Sequence, residues 1–94
     1  MRLILYGTES DKEAFMHALS AIPGRHGNTI SVVGYPDYDS FITGLRESSP
    51  NGIVVAMDGA DGMEGVIAAK NLCESVPVLW FSNDNGFGVQ SYRL

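Results

Sequence analysis

The sequence predicts a three-layer α/β sandwich built on a parallel sheet. Two observations lead to this prediction. Short apolar runs typical of buried strands recur along the 94 residues, and the runs are separated by stretches with the spacing of amphipathic helices. Strands that alternate with helices in this way require right-handed crossovers and a parallel sheet covered on both faces. A chain of this length, with 45% apolar and 18% charged residues, is expected to form one globular domain over residues 1–94.

The first strand and the first helix are predicted from the N-terminal part of the chain. Residues 2–6 (RLILY) are mostly apolar, as expected of a buried strand. Ser10 and Glu13 have the spacing of a capping box, which predicts that a helix begins at Ser10. Apolar side chains then recur at helical spacing at Phe15, Met16, Leu19 and Ile22. The pair Pro23-Gly24 is predicted to end this helix.

A second strand and helix follow with a similar pattern. Residues 30–33 are rich in β-branched side chains and are closed by Gly34, which predicts the second strand. The acidic residues Asp37 and Asp39 suit the start of a helix. The short apolar face of this helix is formed by Phe41, Ile42 and Leu45.

The third and fourth strands have the most continuous apolar runs. Residues 53–57 (IVVAM) predict a central strand, with Asp58 directly after it. Helical spacing follows to about Ser75, at Met63, Val66, Ile67, Ala69 and Leu72. Residues 77–81 (PVLWF) predict the fourth strand, residues 82–86 a polar turn, and residues 87–94 the opening of a fourth helix.

Composition excludes several classes of function. Six Lys and Arg residues against eleven Asp and Glu residues give a net charge of −5, which opposes binding to a nucleic-acid backbone. The longest apolar run, Val76 to Phe81, is far shorter than the roughly 20 residues that span a bilayer, so we expect no membrane association and a cytoplasmic location. The single cysteine, Cys73, excludes an internal disulfide and a cysteine-based zinc site.

The carboxyl ends of the strands are the expected place for function, because ligands bind there in sheets of this kind. The loops at these ends cover residues 7–10, 34–37, 58–62 and 82–86. None of them contains a GxGxxG or Walker pattern for phosphate binding. Paired acid–base groups and a nucleophile with a histidine partner are also missing from the pattern, so we predict no enzymatic activity and assign no catalytic residue.

The order of these segments resembles the receiver domain of bacterial two-component response regulators, of the kind that precedes a LytTR-type DNA-binding module. The resemblance extends over RLILYGTESDKEAF, ISVVGYPDYDSF, IVVAMDGADGMEGVIAAKNL and VPVLWFSNDNGFGVQSYRL, and the last two segments carry its specific part. It implies a flavodoxin-like parallel sheet in the order 2-1-3-4. The fifth strand of a receiver and its lysine are not matched, so we expect the domain to be incomplete at its C-terminal end.

The resemblance also implies site residues. Asp58 matches the aspartate that accepts a phosphoryl group from a histidine kinase, and Ser82 matches the switch hydroxyl. Receivers hold Mg²⁺ with the acceptor and with an acidic pair after the first strand. Gly7 and Thr8 occupy the positions of that pair here, so Glu9 and Asp58 are the candidate metal ligands and Mg²⁺ binding should be poor.

This interpretation of the sequence leads to three hypotheses of function. The leading hypothesis is a degenerate receiver-like signalling module that acts through protein–protein contacts. The first alternative is a phosphorylatable receiver with Asp58 as its phosphoacceptor, and the second is a small ligand-binding α/β domain that uses the cleft at the strand ends. The acceptor position could slip to Met57 or be replaced by Asp61, because the run from Asp58 to Gly65 is one residue shorter than in receivers. Asp58 could also simply cap the following turn or helix.

The predicted partners are proteins. The resemblance implies a histidine kinase or an output domain. Without a fifth strand, the edge of the fourth strand, including Trp80, would be exposed to pairing with another strand. We therefore expect a homo-oligomer formed through this edge or through the final helix.

Overall fold

The protein is described by a computed structural model that covers residues 1–21, 30–83 and 89–93, with side chains described up to residue 81. The described residues form three helices and five strands. In chain order the elements are β1 (Arg2–Tyr6), α1 (Glu9–Ser20), β2 (Ser31–Tyr35), α2 (Tyr38–Glu47), β3 (Gly52–Val55), α3 (Gly59–Leu72), β4 (Val78–Asn83) and β5 (Val89–Arg93).

The strands form one sheet in the order β2-β1-β3-β4-β5. Strands β2, β1, β3 and β4 are parallel to one another. Ile4 of β1 is paired with Val33 of β2 and with Ile53 of β3. Val54 of β3 is paired with Leu79 of β4. The predicted α/β class and the parallel order 2-1-3-4 are therefore confirmed. The fold is flavodoxin-like in this part of the sheet.

The C-terminal segment differs from its prediction. Val89–Arg93 is a strand, β5, that pairs antiparallel to β4, whereas residues 87–94 were predicted to open a helix. Only five positions separate Asn83 from Val89. That number is enough to join antiparallel strands, while a crossover between parallel strands needs about a dozen residues or more. The parallel part of the described sheet thus has the four strands predicted, whereas the expectations of an exposed β4 edge and of a final helix were wrong.

The start of α1 also differs from its prediction. The N-cap is Thr8, and the predicted cap, Ser10, lies inside the first turn. The Thr8 hydroxyl oxygen accepts a hydrogen bond from the Asp11 amide at 3.1 Å, and the Asp11 carboxylate accepts one from the Thr8 amide at 2.9 Å. Met16 is 45% exposed rather than part of the buried stripe, while Phe15 is buried. The predictions for Ile22 and Pro23-Gly24 lie outside the described residues.

Two apolar clusters lie on opposite faces of the sheet. The cluster on the α2 and α3 side contains Ile4, Tyr6, Phe41, Leu45, Ile53, Val55, Val66, Ala69 and Val78. The cluster on the α1 side contains Leu3, Leu5, Phe15, Val54, Ala56 and Phe81. Alternate residues of β1 and β3 therefore enter different clusters, as the period of two along a strand requires. Both strands are buried on two faces, which explains their continuous apolar runs.

Within the described part of the chain, no helix is long and apolar enough to cross a membrane.

Candidate functional site at the carboxyl edge of the sheet

The carboxyl ends of the four parallel strands lie along one edge of the sheet, and the helices that follow begin there. This carboxyl edge is strongly acidic. Its acidic residues occupy the N-caps or first turns of α1, α2 and α3: Glu9, Asp11, Asp37, Asp39, Asp58 and Asp61. Carboxylates at these positions interact favourably with the positive ends of the helix dipoles. The basic residues Arg46 and Lys70 lie in the last turns of α2 and α3, toward the opposite edge.

Asp58 stands at the end of the central strand, where the acceptor position was predicted. It is the N-cap residue of α3, is exposed, and makes no side-chain capping hydrogen bond. Gly59 follows with a φ of +63°, a left-handed conformation that favours glycine. The turn from β3 into α3 therefore places the Asp58 carboxylate at the surface, and this carboxylate does not cap the backbone amides of α3.

The backbone beside Asp58 is fixed by a side chain from β4. The indole Nε1 of Trp80 donates a hydrogen bond to the Met57 carbonyl oxygen at 2.8 Å. Gly62 of α3 fits beneath this contact, since a Cβ atom there would lie 2.1 Å from the same carbonyl oxygen and 2.8 Å from the indole ring. This role of Trp80 was not predictable from the sequence, because Trp80 and Met57 are far apart in the chain.

The loop after β1 provides little of the expected metal site. Gly7, at the first position of the matched acidic pair, is buried, and a Cβ atom there would lie 2.9 Å from the Ala56 Cβ and 3.1 Å from the Asp11 carboxylate. Asp11 accepts hydrogen bonds from both the amide and the hydroxyl of Thr8, each at 2.9 Å. Glu9 is exposed in the first turn of α1. These residues do not reproduce the acidic pair of a receiver.

No group of three or more His, Cys, Asp or Glu side chains is placed to hold a metal ion in residues 1–21, 30–83 and 89–93. The predicted ligands, Glu9 and Asp58, begin different helices at the carboxyl edge. The residues present therefore do not fit the metal site that the resemblance implies.

Ser82 lies in β4 and is paired with Gln90 of β5. The prediction that a polar turn begins at Ser82 was wrong, because the hairpin with β5 extends the strand to Asn83. Ser82, the predicted switch residue, therefore lies in a regularly paired strand. The remainder of the predicted turn, residues 84–86, lies outside the described residues.

An aromatic corner lies where β1 reaches the carboxyl edge. Tyr6, the last residue of β1, is 5% exposed, and its ring stacks on Phe41 with centroids 4.7 Å apart. The Tyr38 ring meets Tyr6 edge-on, with centroids 6.2 Å apart. On the other side Gly65 of α3 allows close approach, since a Cβ atom there would lie 2.7 Å from the Tyr6 ring.

The charges around this corner act on the Tyr6 hydroxyl. Burial raises the pKa of Tyr6, and the negative charges of Asp61 and Glu64 raise this pKa further because they oppose formation of a phenolate. Tyr38 and Asp37 act in the same direction. The hydroxyl is therefore neutral at physiological pH. Tyr6 was not among the candidate site residues predicted from the sequence.

An apolar cavity of about 400 Å³ lies between α1 and the sheet. Its lining includes Leu3, Phe15, Leu19, Val54, Leu79 and Phe81, together with residues at the starts of β3 and β4. It lies on the α1 face, and its lining includes none of the acidic residues at the carboxyl edge. It does not provide the strand-end cleft that the ligand-binding alternative requires.

No family model matches the chain, and comparisons with curated proteins and with solved structures gave no significant match.

Proposed function

We propose that the protein is a degenerate receiver-like signalling module that acts through contacts with other proteins and has no enzymatic activity. The observation that carries this proposal is the packing at Gly7. This glycine occupies a position of the acidic pair that receivers use for Mg²⁺, and even a Cβ atom there would come within 2.9 Å of Ala56. The fold leaves no room for a carboxylate at that point.

Asp58 remains, but the acidic pair that holds Mg²⁺ beside the acceptor of a receiver is not reproduced at Gly7 and Thr8. Phosphoryl transfer depends on cations that neutralise the oxygens of the transferred group. Asp58 is exposed at the end of β3, while Asp11, the carboxylate nearest to Gly7, is held in the capping box of α1. The acidic carboxyl edge then serves as a binding surface, and its charge favours partners with basic groups.

The resemblance supplies the class of partner, a histidine kinase or an output domain. A cytoplasmic location belongs to the same proposal, as does the absence of direct nucleic-acid binding, which the net charge of −5 supports.

A phosphorylatable receiver is the second candidate, and one observation favours it. Asp58 occupies the N-cap of α3 at the end of the central strand and is exposed. A carboxylate in this position is accessible to a phosphoryl donor.

The two candidates are separated by an amide NMR titration with Mg²⁺ followed by beryllofluoride, which mimics an acyl phosphate. We expect no saturable shifts at the end of β3 or in the first turn of α3. Saturable shifts that disappear in Asp58→Asn but persist in Asp61→Asn would overturn the proposal in favour of the phosphorylatable receiver. The converse dependence on Asp61→Asn would overturn it as well and would identify Asp61 as the acceptor.

A further inference from the structure

The Tyr6 hydroxyl is a polar group without a role in the function proposed above. The Tyr6 side chain is 5% exposed, and its ring is enclosed by Phe41 and Tyr38 of α2 and by Gly65 of α3. Within the described residues, its hydroxyl makes no hydrogen bond. A side chain this deeply enclosed usually has a partner for its polar end. Tyr6 is the last residue of β1 and lies at the carboxyl edge, so the partner is to be sought there.

The surroundings of this hydroxyl are negative. Gly65 of α3 packs against the Tyr6 ring, and Asp61 lies one helical turn before Gly65 on the same face, with Glu64 directly before Gly65. The charges of Asp61 and Glu64, and that of Asp37 in α2, act electrostatically on the hydroxyl. Asp61 lies in the first turn of α3, where the helix dipole accounts for its presence. Glu64 lies beyond the first turn of α3, where the helix dipole no longer stabilises a carboxylate appreciably. Lys12, a basic residue of α1, packs along Gly34 of β2 and therefore on the other face of the sheet from Tyr6.

The arrangement suits an organic cation better than a metal ion. No three acidic, histidine or cysteine side chains converge closely enough for a metal in the described part of the chain. Asp37 already accepts hydrogen bonds from the amide and hydroxyl of Ser40. A guanidinium is wide and planar, carries five N–H donors, and also stacks on aromatic rings. The Tyr38 ring, 38% exposed at the same corner, offers such a surface.

We propose that the corner formed by Tyr6, Tyr38, Asp61 and Glu64 binds an arginine side chain of a protein partner. The guanidinium donates hydrogen bonds to the Tyr6 hydroxyl oxygen and to the carboxylates of Asp61 and Glu64, and it packs against the Tyr38 ring. This inference rests on the proposed contact function and names the chemistry by which the carboxyl edge recognises its partner.

The test is an amide NMR titration with N-acetyl-arginine amide, with N-acetyl-citrulline amide as its uncharged analogue. We expect saturable shifts at Tyr6, Tyr38 and Gly65 with the arginine probe only. Tyr6→Phe keeps the packed ring and removes the hydroxyl, so it should weaken binding by about 3–10-fold. Glu64→Gln should weaken it at least as much, since a hydrogen bond to a charged group is stronger.

The matched control is Glu47→Gln, which removes the same charge at the other end of α2 and should leave binding unchanged. Equal shifts with the citrulline probe would overturn the proposal. So would arginine binding that is insensitive to both Tyr6→Phe and Glu64→Gln, or a saturable Mg²⁺ response at this corner that Glu64→Gln abolishes.

Asp58→Asn distinguishes failure of this inference from failure of the proposed function. If this variant loses a beryllofluoride response but still binds the arginine probe, the contact-only function fails and the arginine site stands. If neither protein responds to beryllofluoride and the wild type does not bind arginine, the arginine site fails while the contact-only function stands.

Discussion

Gly62 shows how one residue without a side chain shapes the carboxyl edge. It permits the Trp80 indole to reach the Met57 carbonyl oxygen at 2.8 Å and thereby fixes the backbone that leads to Asp58. Alanine at this position would place a Cβ atom 2.1 Å from that oxygen. Because the obstructing atom is backbone, the helix or the strand end would have to move.

Gly62→Ala is therefore expected to destabilise the protein. Alanine normally favours a helix by about 1 kcal/mol relative to glycine, whereas overpacking of this kind costs about 1–3 kcal/mol or more. We expect a net loss of about 2 kcal/mol in the free energy of unfolding, measured by urea denaturation. The Trp80 fluorescence of the native state should also shift, because the indole loses its hydrogen bond.

Gly34→Ala is the matched control. The nearest atom to a Cβ at Gly34 is Cδ of the flexible Lys12 side chain, at 3.2 Å. The free energy of unfolding should change by no more than about 0.5 kcal/mol. Equal losses in Gly62→Ala and Gly34→Ala would contradict the role assigned to the Trp80–Met57 contact.

Among the helices, α1 contains two overlapping cap signals. Ser10 with Glu13 and Thr8 with Asp11 both have capping-box spacing, and the structure uses Thr8. Thr8→Ala removes the hydroxyl that accepts from the Asp11 amide, so we expect a loss of about 1 kcal/mol in the free energy of unfolding. Ser10→Ala should change it by less than about 0.5 kcal/mol. The reverse order in thermal or urea denaturation would show that α1 begins at Ser10.

The cap of α2 predicts a dependence of stability on pH. Hydrogen bonds from the Ser40 hydroxyl and amide lower the pKa of Asp37 below its ordinary value of 3.8. The unfolded chain therefore takes up this proton at a higher pH than the folded protein does. The stabilisation is fully present above pH 3.8 and is lost as the pH falls through the lower folded pKa.

Asp37→Asn keeps a capping oxygen but removes this titration. We expect the difference in unfolding free energy between wild type and Asp37→Asn to shrink below pH 3.8 in urea denaturation experiments. Ser40→Ala retains the carboxylate and removes one of its hydrogen bonds, so it should reduce the pH dependence without abolishing it. A difference between wild type and Asp37→Asn that stays constant with pH would disprove this account of the cap.

The elements differ in how well local sequence determines them. Buried strands such as β1 and β3 were predictable because burial on both faces imposes continuous apolar runs. The antiparallel β5 was not, since its state depends on pairing with β4 rather than on its own pattern. The position of Asp58 followed from the end of β3. The Tyr6 corner did not, because its rings and charges come from three separate elements.

At the scale of the whole molecule, the sheet has two edge strands, β2 and β5. Because β5 covers the edge of β4, a second copy cannot pair with that edge as predicted. Homo-oligomerisation remains a prediction, and it requires another surface. The edge strand β2, with the sequence SVVGY, contains no charged residue and no proline. These are the usual protections against pairing with another strand. Val33, at its centre, is 41% exposed.

Hydrogen exchange of the β2 amides tests this surface. The Ser31 amide donates to the Met1 carbonyl oxygen of the neighbouring strand, so alternation along the strand directs the Val32 and Gly34 amides outward. We expect these two amides to exchange rapidly at low protein concentration and slowly at high concentration, where a second copy pairs with β2. The amides of the central strands β1 and β3 should be slow throughout.

Val33→Lys places a charge on this edge and should abolish the concentration dependence of exchange at Val32 and Gly34. Asn71→Lys adds the same charge on an exposed part of α3 and should leave it intact. Rapid exchange of both amides at every concentration would mean that β2 stays unpaired. Since net charge of −5 also opposes association, the apolar edge must outweigh this repulsion, and added salt should strengthen the pairing by screening it.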